Sequence, residues 1–142
     1  MRILISGDRG FVGSATKKLL IEKGIEPVGY DLMSGYDIRD LSQLEEVIKR
    51  VAPERILHLA AIARFSEADA DPHRAFETNA IGTRNIAHIS SKFHIPVVYA
   101  STGSCYMPIE LEPPITEDFP VRGKSVYGCT KAIGEMYIQM GT

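Results

Sequence analysis

An apolar run, Ile3-Leu4-Ile5, leads into Ser6-Gly7-Asp8-Arg9-Gly10-Phe11-Val12-Gly13, and this stretch constrains the chain more than any other. Three consecutive large apolar residues are typical of a short strand buried on both faces of a parallel sheet. After the glycines, Ala15, Leu19 and Leu20 follow Val12 at helical spacing. Gly7, Gly10 and Gly13 therefore belong to a strand-to-helix turn. Glycine lets the backbone turn tightly and approach a ligand, and the first N–H groups of the helix point at an anion. A pyrophosphate has the charge and size for such a site. The spacing is G-x-x-G-x-x-G rather than the G-x-G-x-x-G of the usual dinucleotide fingerprint.

With 142 residues, the chain has room for one domain with a real core. Its net charge of -2 is spread in both signs, which gives no footprint for nucleic acid or for a membrane surface. A small-molecule partner is expected. No apolar run approaches the ~20 residues that span a bilayer, and no signal peptide is evident at the start. Cys105 and Cys129 lack metal-ligand spacing. The expectation is a cytoplasmic protein without a metal site.

Gly24 is placed to end the first helix, and Glu26 to Asp31 reads as a second strand ending in an acid. Asp31 stands about 20 residues beyond the glycine turn, where dinucleotide-binding folds place the acid that bonds the adenosine ribose; a plain turn aspartate is the alternative. Ser42 and Glu45 form a capping box ahead of a helix carrying Leu44, Val47, Ile48 and Val51, and Pro53 stops it. Arg55 to Ala61 is a further buried strand. Its His58 reads as a hydrogen-bonded core residue, with a ligand or base as the alternative. Ala63 to Ala70 reads as a loop. Asp71-Pro72 then opens a long helix with Phe76, Ala80, Thr83 and Ala87 as its stripe. Asn79, beside that stripe, is either a structural brace or a water-holding site residue. His94 to Ala100 is the next strand, counted as the fifth, and ends at Ser101-Thr102-Gly103-Ser104, where hydroxyls sit at the carboxyl end of the sheet. Met107 to Pro120 is a proline-rich and acidic surface loop. A last helix from about Ser125 to Met140 carries Ile133, Met136, Tyr137 and Met140 as its apolar stripe, with Tyr127 and Lys131 one turn apart.

Alternating strands and helices without repeats give an α/β, Rossmann-like doubly wound parallel sheet. Together, Gly7-x-x-Gly10-x-x-Gly13, Asp31, Asp37-Ile38-Arg39-Asp40, His58-Leu59-Ala60-Ala61, Asn79-x-x-Gly82-Thr83, Ser101-Thr102 and Tyr127-Gly128-x-x-Lys131 resemble the extended short-chain dehydrogenase/reductase family, in its nucleotide-sugar epimerase/dehydratase branch. The resemblance covers the whole chain. It implies that Gly7, Gly10, Phe11 and Val12 cradle the pyrophosphate, that Asp31 holds the ribose, that Asp37 and Ile38 flank the adenine, and that Ala60 and Ala61 line the cofactor's middle. Leu59, Asn79 and Ala100 join that cofactor-binding set, with Tyr127 and Lys131 at its nicotinamide end. Thr102, Tyr127 and Lys131 are the implied catalytic set, Tyr127 moving a proton as hydride passes between sugar and nicotinamide. A free phenol has a pKa of about 10, so a base at neutral pH needs a neighbouring cation such as Lys131. Thr102 would hydrogen-bond and orient the reacting oxygen.

Three departures from the family pattern set the finer expectations. Thr102-Gly103-Ser104 lacks the Asp-Glu pair of the 4,6-dehydratases, which argues against dehydration. Arg9 resembles residues that grip the 2'-phosphate of NADP, whereas Asp31 repels it, so NAD is the expected cofactor, with NADP open through Arg9. Family members continue past the Tyr/Lys helix with more strands and a nucleotide-sugar domain. The expectation is therefore a shortened, incomplete Rossmann domain lacking the last strands and the substrate domain, whose exposed fifth strand pairs with another copy in a homo-oligomer.

Overall fold

The computed structural model describes residues 1–106 and 115–141. Most of the Met107–Pro120 loop lies outside them; Tyr106 and Val121, on either side, form an isolated antiparallel bridge. Among the described residues four strands form one parallel sheet: β1 (Arg2–Ser6), β2 (Glu26–Tyr30), β3 (Arg55–His58) and β4 (Val97–Tyr99), in the order β2-β1-β3-β4. The strand expected as the fifth is thus the fourth, and it lies at an edge. From β1 the chain steps to one side to make β2, then back past β1 to make β3, so the order reverses at β1. The crevice beyond the carboxyl ends of β1 and β3 is the ligand position of an open α/β sheet.

Helix α1 (Phe11–Glu22) follows β1, and α2 (Leu41–Val51) follows β2. Gly24, in the left-handed region at φ +69°, ends α1 as expected, its N–H donating to the Ile21 carbonyl. The cap of α2 differs from expectation. Asp40, two residues before Ser42, accepts from the Gln43 N–H at 2.9 Å, while Glu45 pairs instead with Lys49 and Lys92. An aspartate is as good a cap as a serine, and the chain's turn at Asp37–Asp40 delivers it first.

Ala63 to Ala70 is not a loop: Phe65–Ala70 is a short helix, α3. Its Ala68 packs with Ile62 and Ala75 in a small cluster that Val126 and Tyr127 join, so tertiary packing overrides a polar local sequence. Asp71 caps the next helix as read, accepting from the Arg74 N–H, with Pro72 in its first turn. That helix is not uniform. α4 (Pro72–Phe76) passes through a π turn (Glu77–Ile81) into α5 (Gly82–Phe93), and Phe76 is left exposed rather than in the stripe. α6 (Val126–Gly141) follows the segment after β4. Its buried face is Gly128, Thr130, Lys131, Ala132 and Gly134, while Met136 and Met140 of the expected stripe are exposed. Small residues let α6 lie close to α5 and the sheet, which turns the bulkier methionines outward.

Side chains alternate across the sheet. Leu4, Ile56 and Val97 are aligned by register on one face and pack with Tyr30, Leu44, Val47, Ile48, Ile86 and Ile89 from the strands, α2 and α5. The last residue of each strand continues that face in the row Tyr30, Ser6, His58, Tyr99.

Candidate active site

The glycine turn is closed by main-chain contacts. Gly7 is in the left-handed region at φ +76°, and a Cβ there would lie 2.8 Å from the Ala60 nitrogen. A Cβ on Gly13 would collide with the Gly7 carbonyl, so α1 is seated on the turn through its one residue without a side chain. That seating leaves Val12, Ala15 and Leu19 of the expected apolar stripe at the surface. Gly10 caps α1 without a side-chain hydrogen bond, so the free N–H groups of its first turn face outward. A bare helix N-terminus beside a backbone-lined turn fits a dinucleotide pyrophosphate.

A cavity of about 240 Å³ opens beside the turn. Of the residues expected to bind cofactor, Gly7, Gly10, Asp31, Asp37, Ile38, Leu59, Ala60 and Ala61 line it. Asp31 accepts from the Met33 N–H at 2.9 Å and the Arg9 N–H at 3.2 Å, and the Arg9 guanidinium donates to Ser34 at 3.2 Å. Asp37 is gripped by Arg39, whose hydrogen bonds hold its carboxyl below the usual range. The Asp37–Arg39 segment is fixed from behind. Tyr30 donates its hydroxyl to the Asp37 carbonyl, Gln43 accepts from the Asp37 N–H, and Asn85 donates to the carbonyls of Ile38 and Arg39. Gly82 on α5 leaves the space that Ile38 fills.

Arg9, Phe11, Val12, Asn79, Ala100, Thr102, Tyr127 and Lys131 do not line this cavity. Phe11 and Val12 stand at the start of α1 with their side chains exposed. Asn79 is the brace of the two readings kept open for it. Its amide accepts from the Ile62 N–H at 2.8 Å and donates to the Ile62 carbonyl and to Thr130, tying the end of β3 to α6. The neighbouring Thr78 lines the cavity instead, together with Arg74, Tyr36 and Ile62, none of which is among the expected site residues. Arg74 and Thr78 stand four apart on one helical face, a spacing visible in the sequence.

Beneath the turn runs a buried polar relay. The Ser6 hydroxyl accepts from the Leu59 and Ala60 N–H groups and meets His58 Nδ1 at 2.5 Å; His58 Nε2 meets the Thr83 hydroxyl at 2.9 Å, and Thr83 donates to the Asn79 carbonyl at 2.6 Å. The hydroxyl orientations assign His58 the neutral Nε2–H tautomer. Burial, and secondly Lys131, lower its pKa to about 3. His58 is thus the core histidine expected of it, and it aligns Leu59 to Ala61 against Gly7.

The three candidate catalytic residues stand just after β4 and on α6, outside the cavity lining. Thr102 caps a single turn at Gly103–Cys105, accepting from the Ser104 N–H at 3.2 Å. Gly128 allows α6 to approach the Ser104 carbonyl at that turn. Tyr127 meets Phe65 edge-on at 5.5 Å. Lys131 is 2% exposed, and its ammonium lies 3.9 Å from the centre of the Tyr99 ring. Burial lowers its pKa to about 8.

The sequence matches the NAD dependent epimerase/dehydratase family over residues 3–140. The chain belongs to that family. Among curated relatives, it is 34% identical to a UDP-glucose 4-epimerase of Rhizobium meliloti, across 96% of this chain and 46% of the relative. Among solved structures, the UDP-glucose 4-epimerase of Thermus thermophilus in complex with NAD superposes with a TM-score of 0.87 at 28% identity, over 99% of this chain and 50% of the other. A dTDP-4-dehydrorhamnose reductase from Clostridium acetobutylicum gives a TM-score of 0.91 at 28% identity, over 99% and 49%. This member of the epimerase/dehydratase family spans about half the length of the relatives it matches. Its Rossmann-like fold is shared with them, and the family binds a nicotinamide dinucleotide. No helix among the described residues is long and apolar enough to cross a membrane.

Proposed function

We propose that this chain is the cofactor-binding half of an NAD-dependent nucleotide-sugar epimerase of the UDP-glucose/galactose type. The observation that supports the reading is a glycine turn closed by main-chain contacts at the end of β1, in a chain whose Lys131, one helical turn past Tyr127, is buried against the last residue of β4. Gly7, Gly10 and the first turn of α1 bind the pyrophosphate. Asp31 takes the ribose hydroxyls, exchanging its present N–H partners for them in part, and the Asp37–Ile38 segment frames the adenine. A bound nicotinamide supplies a hydride acceptor and donor. This chain's own residues handle the proton: Tyr127 Oη, as the phenolate whose cost the Lys131 charge lowers, takes it from the sugar hydroxyl and becomes the neutral phenol, and Thr102 Oγ1 holds the reacting oxygen. Return of the hydride to the opposite face of the sugar's carbonyl carbon, with Tyr127 Oη giving the proton back to the oxygen, would complete an epimerisation without net use of cofactor. Self-association along the free edge of β4 belongs to the same reading.

The test is interconversion of UDP-glucose and UDP-galactose by this chain with NAD, beside Tyr127→Phe. Turnover that falls by about 100-fold or more in the variant is expected for loss of the acid–base group. Turnover indifferent to the change would remove Tyr127 from the mechanism.

A second reading has its own support. Arg9 and Ser34 stand together beside Asp31, and a dTDP-4-dehydrorhamnose reductase of Bacillus anthracis, solved with NADP, is 27% identical with a TM-score of 0.88. Under that reading the chain serves a ketoreductase, and NADPH is oxidised in step with the sugar.

A further inference from the structure

Lys131 is a buried cation whose seat is an aromatic face. Its ammonium lies 3.9 Å from the centre of the Tyr99 ring, well inside the range of a cation–π contact. The ring is itself held by a stacking contact and a hydrogen bond. Tyr99 stacks on His58 at 5.5 Å between ring centres, and its hydroxyl donates to the Lys131 carbonyl at 3.2 Å. Gly134, one turn past Lys131, is required for this arrangement, because a Cβ there would meet the Tyr99 hydroxyl oxygen. Tyr99 thus touches Lys131 twice, at its side-chain charge and at its main chain. Glu135 on α6 and Cys105 also act on the lysine electrostatically, and the lysine in turn acts on His58. Glu135, the carboxylate among them, accepts a short hydrogen bond from Ser101.

We propose that Tyr99 is a positioning residue, its ring face holding the Lys131 ammonium in a fixed place. The idea rests on the reading of Lys131 as the cation that serves Tyr127. A lysine side chain free to sample its rotamers loses conformational freedom when it is immobilised, and a seat already formed removes part of that cost before ligand arrives. The ring needs no charge to do so. It holds the cation without neutralising it, whereas a carboxylate in its place would cancel the field that a phenolate at Tyr127 requires.

The test is the proton resonance of the Lys131 ε-CH₂ in protein carrying ¹³C-labelled lysine, assigned by its absence in Lys131→Met. In the wild type it is expected upfield of every other lysine, with an Overhauser contact to the Tyr99 ring. Tyr99→Phe keeps the face and keeps the shift; Tyr99→Leu removes it. An unshifted resonance in the wild type overturns the proposal without any variant, as does a shift that survives Tyr99→Leu. Loss of the shift in Tyr99→Phe also overturns it, by assigning the effect to the hydroxyl. Calorimetry with NAD adds the functional arm: Tyr99→Phe is expected to match the wild type, and Tyr99→Leu to bind about tenfold more weakly. Equal NAD affinity in wild type and Tyr99→Leu overturns the positioning role. If the wild type binds no NAD, the nucleotide reading of the chain falls, while the resonance still decides the seat.

Discussion

The two faces of the sheet are built to different standards. On one, Leu4, Ile56 and Val97 meet α2 and α5, and the row Tyr30, Ser6, His58, Tyr99 continues into the polar relay and the Lys131 seat. On the other, register aligns Ile5, Leu57 and Val98, and α1 packs against β1 and β2. Exposure on that face rises across the sheet, from none at Ile5 to 64% at Val98. Apart from α1, which brings its N-terminus to the glycine turn from the second face, what positions the site belongs to the first face. Stability and chemistry are therefore expected to respond together to changes there and separately to changes on the second.

The sharpest contrast is between two apolar truncations in neighbouring strands. Ile56→Ala empties a sealed core and is expected to cost about 2–5 kcal/mol in urea denaturation, whereas Val98→Ala is expected to stay within about 0.5 kcal/mol. Equal costs would break the comparison.

Next in size is acid sensitivity at His58. Its folded pKa of about 3 lies below the unfolded value of 6.5, so the unfolded chain binds the extra proton between those limits. Stability is complete above pH 6.5 and falls as pH drops, by about 2 kcal/mol at pH 5 from this group. His58→Gln, which keeps hydrogen-bonding capacity without the titration, is expected to flatten that part of the profile.

The buried lysine has a smaller effect of distinct form. Lys131 protonates at about 8 in the fold and 10.5 outside it, so the wild type gains stability as pH rises through that window. Lys131→Met is expected to be about 1 kcal/mol more stable at pH 7, with the advantage shrinking as pH rises toward 10.5, and inactive in turnover. Denaturation midpoints at the two pH values check the sign.

Smallest in stability is Val98→Lys, expected within about 0.5 kcal/mol of wild type. It separates the second face by another property: self-association along the edge of β4, followed by light scattering, is expected to weaken.

The glycine turn, the strands and the order of elements were legible because each writes a local pattern into the chain: apolar runs for buried strands, Asp71-Pro72 for a helix start, Gly24 for a helix end. Most of the cavity lining was legible for the same reason, since Gly7, Asp31 and Ala60 follow directly from strand ends. What escaped depended on contacts distant in sequence. α3 exists because Ala68 packs beside Ala75 and Tyr127, the methionines of α6 turn outward because Gly128 and Gly134 let the helix approach through its small face, and Asp40 displaces Ser42 as cap because of the turn before it. Asn79 showed as a residue of interest, but only its partners Ile62 and Thr130 reveal it as a brace and Thr78 as its cavity-facing neighbour.

The most direct test of the central claim is calorimetric titration of the chain with NAD and NADP in parallel, repeated in Gly13→Ala, where the new Cβ meets the Gly7 carbonyl. The expected result is saturable binding with NAD preferred, abolished in the variant. Binding of neither dinucleotide, or binding untouched by Gly13→Ala, would contradict the assignment of the glycine turn as the cofactor site.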